Sequence, residues 1–229
     1  MGYCDCCSSY SVFLQTGYWD EFKRCIRCKS NLRYRLIAKY LKSIPGLENL
    51  TVVDLDPYSP LERILSKCNK YMKTYYSPND PLGSVNHLGI RCEDITKLTF
   101  EDNSIDIIIS SDVLEHVDDF EAAMRETERV LRPGGFHLFT VPMSAGARNG
   151  IAVISNKTVK RAKVLNDGTI EHYLPPQYHS DPLNPNGILA FWSFGLDLPK
   201  LFSRDNLEIS IALGPEGKDQ RIVWKATKK

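Results

Sequence analysis

Apolar positions change their spacing several times along this chain and divide it into short segments. Beyond residue 50, compact apolar runs alternate with stretches in which apolar residues recur every three or four positions. The compact runs predict strands over residues 50–55, 71–76, 105–110 and 136–141. Helices are predicted over residues 61–68 and from Asp118 onward, where Asp118 can cap the helix and Glu121 follows three positions later. Alternating strands and helices are typical of a parallel α/β sheet.

A helical spacing also appears before residue 50, between Leu32 and Leu41, and predicts an amphipathic helix that packs on the main domain. This helix lies within residues 23–42, a stretch with eight Lys or Arg residues and no acidic one. Such a run can contact phosphates, which keeps an RNA partner open as an alternative. A solvated helix face is the favoured interpretation.

The length and charge of the chain narrow the function classes. With 229 residues, 42% hydrophobic residues and 25% charged residues, the chain has the composition of one large globular domain with at most a small appendage. A net charge of +1 implies no general attraction to nucleic acid or to a membrane. The sequence shows neither an apolar run long enough to span a membrane nor a secretion signal at its start, so a cytoplasmic protein is expected.

Four of the seven cysteines form two C-x-x-C pairs, Cys4 with Cys7 and Cys25 with Cys28. Two short loops that each present two thiolates can complete the tetrahedron of a structural zinc ion. The alternatives are a redox-active pair or surface thiols. Cys6 is a spare thiol that could replace either of its neighbours as a ligand.

Polar residues follow the predicted strands at the edge where ligands bind in open α/β sheets. An acidic or amide side chain after a second strand can accept hydrogen bonds from ribose hydroxyls, and one in the next loop can accept from an adenine amine. Together such residues suit a nucleoside, although Asp and Asn also end strands simply by forming turns.

The block from Asp94 to Pro142 carries the runs LTFEDNSID, DVLEHV and VLRPGG in this order. It resembles the central block of class I S-adenosylmethionine-dependent methyltransferases. The cysteine pairs, residues 30–35 and residues 175–182 are similar to a subgroup with a four-cysteine zinc element before the domain. The resemblance implies a Rossmann-like, mainly parallel sheet closed by a C-terminal antiparallel strand, with residues 209–213 and 221–224 as its last pair.

The same resemblance implies a domain organisation. Residues 1–42 would form the zinc-binding element with its amphipathic helix, and residues 43–229 the methyltransferase domain. An insert on the acceptor side would occupy about residues 143–200, and its basic segment 145–163 is either a lid over the site or a plain surface excursion.

By this resemblance the cofactor is S-adenosylmethionine and its site is distributed over several loops. Asn79 would take the ribose position, Asp94 and Ile95 the adenine position, and Arg33 would meet the cofactor carboxylate through a bidentate guanidinium contact. The remaining implied contacts are Asp54, Asp56 and Pro57 after the first strand, and Ser110, Ser111 and His116 at the methionine end. The first turn departs from most of the family because residues 54–59 contain no glycine.

Methyl transfer to a hydroxyl needs a group that removes a proton, and a histidine suits that task. His179 with Asp181 is the preferred base and partner; the alternative is that His179 only satisfies a loop hydrogen bond. The predicted function is methyl transfer to a hydroxyl or amine of a small polar acceptor, a sugar or natural-product intermediate. The alternatives are an RNA methyltransferase that uses residues 23–42, and a non-catalytic cofactor-binding or scaffold protein. A nicotinamide-dependent oxidoreductase is disfavoured because no G-x-G-x-x-G follows a strand.

Overall fold

The chain folds around a seven-stranded sheet with helices on both faces. The computed structural model describes residues 1–181 and 184–229, without the side chains of residues 144, 180, 181, 184 and 185. The helices are α1 Leu32–Leu41, α2 Glu62–Leu65, α3 Phe120–Val130 and α4 Leu198–Phe202. Single turns of 3-10 helix lie at Asp20–Phe22, Leu47–Asn49 and Leu114–His116. Among the described helices, not one combines the length and the apolar character needed to cross a membrane.

The strands, in chain order, are β1 Gly2–Cys4, β2 Ser9–Ser11, β3 Phe13–Gln15, β4 Lys23–Cys25, β5 Thr51–Asp54, β6 Lys70–Tyr75, β7 Arg91–Cys92, β8 Ile105–Ser111, β9 Leu131–Thr140, β10 Ser144–Arg148, β11 Ile151–Ile154, β12 Val159–Lys160, β13 Ala162–Val164, β14 Ile170–His172, β15 Tyr178–Asp181, β16 Asn184–Leu189, β17 Trp192–Ser193, β18 Leu207–Glu216 and β19 Arg221–Lys228.

The central sheet has the order β18-β19-β9-β8-β5-β6-β7. Strands β7, β6, β5, β8 and β9 are parallel, and β19 is antiparallel to both of its neighbours. The chain leaves β5 toward β6 on one side and later returns to β8 on the other. The strand order therefore reverses between β5 and β8, which opens a crevice at their carboxyl ends. The predicted mainly parallel sheet with a C-terminal antiparallel strand is confirmed.

Strand β8 shows why this sheet is covered on both faces. Ile107 and Ile109 point into the apolar cluster that α1 covers, whereas Ile105 and Ile108 point into the cluster that α3 and α4 cover. All four isoleucine side chains are buried. An unbroken apolar run is what a parallel strand between two helical layers requires. Helix α1 is the amphipathic helix that the sequence predicts over residues 32–41.

The N-terminal segment forms two small hairpins, β1 with β2 and β3 with β4. Their buried residues Cys4, Cys6 and Cys25 belong to the same apolar cluster as helix α1 and the sheet residue Ile107. The element thus packs directly on the domain through α1.

Two predicted helices begin or end elsewhere. The helix predicted over residues 61–68 is limited to α2, because the chain then turns so that the Asn69 N–H donates to the Glu48 carbonyl at 2.6 Å. The helix predicted to open at Asp118 is capped one residue later, where Asp119 Oδ1 accepts from the Ala122 N–H at 2.9 Å. Asp118 instead pairs with Lys160 Nζ at 2.8 Å in the insert.

Strand β9 follows α3 without a loop, since it begins at Leu131 and includes the predicted helix stop at residues 132–135. Gly135 is required there because a Cβ would come within 2.9 Å of the carbonyl oxygens of Arg132 and Asp106. This close approach of two backbones fixes the start of the strand.

The insert consists largely of antiparallel pairs rather than irregular chain. Its pairs are β10 with β11, β13 with β14, β15 with β16, and β12 with β17. Trp192 Nε1 donates to the Val117 carbonyl at 2.9 Å, and its ring packs near Phe120, Phe194 and Phe202. These contacts place the insert against the carboxyl edge of the sheet beside α3.

Candidate functional site

The end of strand β5 carries a buried carboxyl group that has no cationic partner among the described residues. Asp54 is 1% exposed and accepts a hydrogen bond from the Tyr71 hydroxyl at 3.1 Å. Burial, with a further contribution from Asp56, raises the pKa of Asp54 to about 8, against the hydrogen bonds that favour its charged form. In the following turn Asp56 accepts from the hydroxyl of Tyr34 and from the Tyr58 N–H at 2.7 Å. Pro57 is half-buried between these groups.

The end of strand β8 carries a second buried aspartate in a different environment. Asp112 Oδ2 lies 2.6 Å from Arg33 Nη1 and 3.1 Å from Arg221 Nη1. Its Oδ1 accepts from the Thr140 hydroxyl at 2.8 Å. Burial raises the pKa of Asp112, but the guanidinium groups of Arg221 and Arg33 outweigh burial and hold that pKa well below its usual range.

Asp112, Arg33 and Arg221 form an ion-pair network with a fourth charged residue, Glu21. This network joins the N-terminal element to the sheet. Glu21 Oε1 lies 3.0 Å from Arg33 Nη1, and Glu21 Oε2 lies 3.9 Å from Arg221 Nε. Three buried atoms of the network, Arg33 Nε, Arg221 Nε and Glu21 Oε2, have no hydrogen-bond partner among the described residues. Arg33, which the resemblance assigns to the cofactor carboxylate, is thus already paired with two carboxylates of the chain.

The predicted nucleoside contacts lie in the loops after β6 and β7. Asn79 is exposed, and its N–H donates to Ser77 Oγ at 3.3 Å. Asp94 Oδ1 accepts from the Thr96 N–H at 2.8 Å and from the Thr96 hydroxyl at 2.7 Å, which is a turn-forming arrangement. Ile95 is buried in the core cluster of α3. Loop geometry holds Asp94 at the carboxyl edge of the sheet.

Ser110 and Ser111 direct their hydroxyls toward strand β9. Ser110 Oγ is 2.8 Å from Nε2 of the buried His137, and burial lowers the pKa of His137 to about 3. Ser111 Oγ is 3.4 Å from the Thr140 hydroxyl. The side chains of the two serines are therefore engaged within the sheet, and their backbone forms the floor of the crevice.

Beyond this floor, the carboxylate of Glu115 and the imidazoles of His116 and His179 converge. We call these three residues the acceptor wall. Glu115 is 1% exposed, and its Oε1 lies 3.7 Å from His116 Nε2 and 3.5 Å from His179 Nδ1. Burial raises the pKa of Glu115. His116 Nδ1 lies 2.8 Å from the Leu189 carbonyl oxygen, so this nitrogen carries the proton it donates. The two rings meet edge to face with centroids 5.0 Å apart.

The acceptor wall brings together residues that are far apart in the sequence. Glu115 and His116 follow β8 in the turn Leu114–His116, and His179 comes from β15 in the insert. The side chain of Asp181, the predicted partner of His179, lies outside the described part of the structure. Sequence reasoning missed Glu115, although it stands inside the DVLEHV run beside His116.

The cysteine pairs form a compact cluster. The sulfur atoms of Cys4, Cys7, Cys25 and Cys28 all lie within 4.8 Å of one another, with Cys4 Sγ to Cys28 Sγ at 3.6 Å and Cys7 Sγ to Cys25 Sγ at 3.8 Å. A tetrahedral zinc ion with Zn–S bonds of about 2.3 Å separates its sulfur ligands by about 3.8 Å. Four thiols at this spacing fit zinc, and Cys6 is not in the group.

Three serines that the sequence analysis did not single out surround these sulfurs. Ser9 Oγ lies 3.3 Å from Cys7 Sγ, Ser11 Oγ lies 3.2 Å from Cys25 Sγ, and Ser30 Oγ lies 3.1 Å from Cys28 Sγ. Hydroxyl groups that donate to thiolates stabilise the charged ligands. For Ser9 and Ser30 the sequence signal is a serine two residues after the second cysteine of each pair, whereas no such signal identifies Ser11.

Comparison with known proteins gives one family match and several structural neighbours. A protein-family model described as a methyltransferase domain matches residues 36–139. An uncharacterized methyltransferase of Schizosaccharomyces pombe is 42% identical over 52 residues, which are 23% of this chain and 19% of that protein. The chain therefore spans far less than two thirds of that relative's length.

Two solved structures share the overall architecture. A Listeria monocytogenes protein assigned as an S-adenosylmethionine-dependent methyltransferase has a TM-score of 0.52 at 15% identity, covering 83% of this chain and 96% of that one. An S-adenosylmethionine-dependent methyltransferase of Mesorhizobium loti has a TM-score of 0.50 at 17% identity, with the same coverage of 83% and 96%. At these identities the likeness concerns the fold alone.

Proposed function

We propose that the chain is a class I S-adenosylmethionine-dependent methyltransferase that methylates a hydroxyl or amine of a small polar acceptor, such as a sugar or natural-product intermediate. The match of residues 36–139 to a methyltransferase domain supports this proposal. The acceptor wall of Glu115, His116 and His179 is the observation that carries the proposal. It stands beside the crevice between β5 and β8, where this sheet topology binds its ligand.

We assign the cofactor to the loops at the carboxyl edge of the sheet. Asn79 would bind ribose, and Asp94 and Ile95 the adenine. Arg33 would bind the amino-acid carboxylate by exchanging its ion pair with Glu21 or Asp112 for the cofactor. The turn after β5 and the floor after β8 would line the rest of the cofactor, through Asp54, Asp56, Pro57, Ser110, Ser111 and His116. Apart from Arg33, which lies on α1, these residues stand at or after the ends of neighbouring parallel strands, which supports the assignment.

Methyl transfer requires the chain to align the acceptor with the methyl group and to accept one proton from the acceptor. When bound, S-adenosylmethionine supplies an electrophilic methyl carbon whose bond to sulfur breaks as the acceptor's lone pair attacks. His179 takes the proton that the acceptor releases. The carboxylate of Glu115, 3.5 Å from His179 Nδ1, then stabilises the imidazolium.

Two of the eight basic side chains of residues 23–42, those of Arg33 and Arg35, are occupied within the chain and the other six are exposed, which weakens RNA as the acceptor. Arg33 belongs to the buried network, and Arg35 Nη1 donates to the carbonyl oxygens of Lys23 and Ser30 at 2.9 and 3.0 Å. Groups held in this way are not free to contact phosphates without losing these partners.

The proposal is tested by binding and by transfer in the same protein. Calorimetry should detect binding of S-adenosylmethionine and of its demethylated product. With methyl-labelled cofactor, label should pass to the small-molecule fraction of a cell extract and not to its RNA. His179→Ala should lower transfer by about 10²- to 10⁴-fold and leave product binding intact, because the imidazole acts on the acceptor.

His172→Ala is the matched control, since His172 is an exposed histidine of the same insert. It should transfer as the unmodified chain does. Absence of cofactor and product binding would refute the methyltransferase proposal. Binding without transfer to any fraction would instead favour a scaffold, and label in RNA would favour the nucleic-acid alternative.

We also propose that Cys4, Cys7, Cys25 and Cys28 hold one structural zinc ion. Cys25→Ser should lose the metal and, because ligation free energy is folding free energy, unfold the N-terminal element. Cys68→Ser is the control, because Cys68 is a half-buried free cysteine outside the N-terminal element, and it should keep one zinc per chain. Elemental analysis that finds no zinc in the unmodified chain would contradict the proposal.

A further inference from the structure

The acceptor wall holds a buried carboxylate that the described residues leave without a short hydrogen bond. Among the described residues, neither Glu115 oxygen has a hydrogen-bond partner at ordinary distance. The side-chain nitrogens that face it are His179 Nδ1 at 3.5 Å, a long and weak contact, and His116 Nε2 at 3.7 Å. A buried carboxylate without close hydrogen bonds is costly unless a proton or a cation neutralises it. We propose that Glu115, His116 and His179 form a binding site for a divalent transition metal ion.

The hydrogen bond of His116 fixes which of its nitrogens faces the site. The carbonyl oxygen of Leu189 can only accept, so His116 Nδ1 must donate to it over 2.8 Å. In the neutral ring, Nε2 therefore presents a lone pair toward Glu115 Oε1, 3.7 Å away. A backbone carbonyl behind a ligating imidazole is the usual support of a metal-binding histidine. A cation placed between them would be attracted by both this lone pair and the carboxylate.

His179 can present its second lone pair to the same point. Its Nε2 lies 3.2 Å from the side-chain amide of Gln177, and the orientation of an amide is set by its hydrogen bonds. With the amide oxygen facing the ring, Nε2 carries the proton and Nδ1 is free to ligate. This Nδ1 is 3.5 Å from Glu115 Oε1.

The spacing of the three ligand atoms fits a metal ion. They lie within 4.8 Å of one another. Metal–nitrogen and metal–oxygen bonds of about 2.0–2.2 Å place neighbouring ligand atoms roughly 3.0–3.6 Å apart. The two distances to Glu115 Oε1, 3.5 and 3.7 Å, are within or close to this range.

The donor set selects the class of ion. Two imidazoles and one carboxylate suit Zn²⁺, Fe²⁺, Co²⁺ or Mn²⁺, whereas Mg²⁺ and Ca²⁺ prefer oxygen ligands throughout. Three protein ligands also leave coordination positions open, as in catalytic rather than structural sites. The cysteine cluster supplies four protein ligands and therefore leaves no coordination position open.

An acceptor could bind to the open coordination positions of the ion. This role of the ion rests on the proposed function. An acceptor hydroxyl bound to the ion would have a lowered pKa and would lose its proton to water as the lone pair attacks the methyl carbon. His179 would then act as a ligand, and a free His179 base would act only when the ion is absent.

The test measures metal binding directly, with the full chain and its cysteine-bound zinc in place. Titration with Zn²⁺ should show one further equivalent per chain, and titration with Co²⁺ should give a visible spectrum without thiolate charge-transfer bands. His179→Ala and Glu115→Gln should each weaken this binding at least tenfold, whereas His172→Ala should not change it.

Binding of the demethylated cofactor product is measured in each sample, which separates this inference from the proposed function and verifies that each variant is folded. If Glu115→Gln fails to bind product, it is not folded and its metal binding is disregarded. The metal binding of His179→Ala alone then tests the inference. Absence of a further metal equivalent, or equal binding by His179→Ala and the unmodified chain, would overturn the metal site. Retained product binding in that case would leave the methyltransferase proposal standing, with His179 as the free base.

Discussion

Two buried aspartates end neighbouring strands of the sheet and have opposite electrostatic states. Asp112, after β8, is paired with two arginines, and its pKa is held well below the usual range. Asp54, at the end of β5, has no cation within salt-bridge distance among the described residues, and burial raises its pKa to about 8. Burial disfavours the charged form of both, so the partners decide the outcome.

The partners of Asp112 come from distant parts of the chain. Arg33 lies 79 residues before it and Arg221 lies 109 residues after it. With Glu21 they form a network of two positive and two negative groups whose charges cancel. The network also ties the N-terminal element to the sheet beside the crevice, whereas Asp54 contacts only nearby polar groups.

The largest effect that this comparison predicts comes from neutralising Asp112. Asp112→Asn leaves Arg33 and Arg221 buried without their main carboxylate, and breaking a buried ion pair in this way costs about 3–5 kcal/mol of unfolding free energy. Chemical denaturation at neutral pH measures the loss. Asp102→Asn is the control: Asp102 is 68% exposed in its pair with Arg129, and its loss should cost no more than about 1 kcal/mol. Equal effects for the two variants would show that the Asp112 network does not stabilise the fold.

Asp54 predicts a dependence of stability on pH. Its folded pKa is about 8 and its unfolded value is about 4, so between these values the folded chain retains a proton that the unfolded chain has released. The stability from this group is fully present below about pH 4 and falls by at most about 1.4 kcal/mol per pH unit as the pH rises toward 8. Asp54→Asn removes this titration.

The measurement is the unfolding free energy of the unmodified chain and of Asp54→Asn at intervals from pH 5 to pH 9. Because all other groups are shared, the difference between the two curves isolates Asp54, and it should favour Asp54→Asn increasingly up to about pH 8. Parallel curves would mean that the Asp54 carboxyl titrates near its ordinary value.

The smallest predicted effects compare the loss of one hydroxyl at each aspartate. Thr140→Val removes a hydrogen bond to the ionised Asp112 and should cost about 2 kcal/mol. Tyr71→Phe removes a hydrogen bond to Asp54, which is protonated at pH 6, and should cost about 1 kcal/mol there. A larger loss for Tyr71→Phe at pH 6 would reverse the assignment of charge.

Much of the fold was predictable because its signals are local. The apolar run of β8 and the periodic apolar face of α3 each require only neighbouring residues, and both elements occur where they were expected. Boundaries were less accurate, as the cap at Asp119 instead of Asp118 shows. Two adjacent aspartates are equivalent in sequence, and the contact of Asp118 with Lys160 in the insert distinguishes them.

The cysteine cluster and the acceptor wall also differ in how far the sequence alone predicts them. The cysteine cluster could be inferred from spacing, because each C-x-x-C loop places its own pair of sulfurs. The acceptor wall could not, because β15 must fold back across the sheet edge before His179 reaches Glu115. His116 and His179 were each expected near the crevice, but no spacing rule joins them.

The amino-acid sequence by itself determined the parallel sheet, its covering helices and the pairing of the cysteines, because hydrophobic period and loop spacing act over a few residues. The tertiary structure decided which buried carboxyl is charged and which groups meet at the acceptor wall. Both depend on Coulomb and desolvation energies, which are set by distances between residues that only the folded chain brings together.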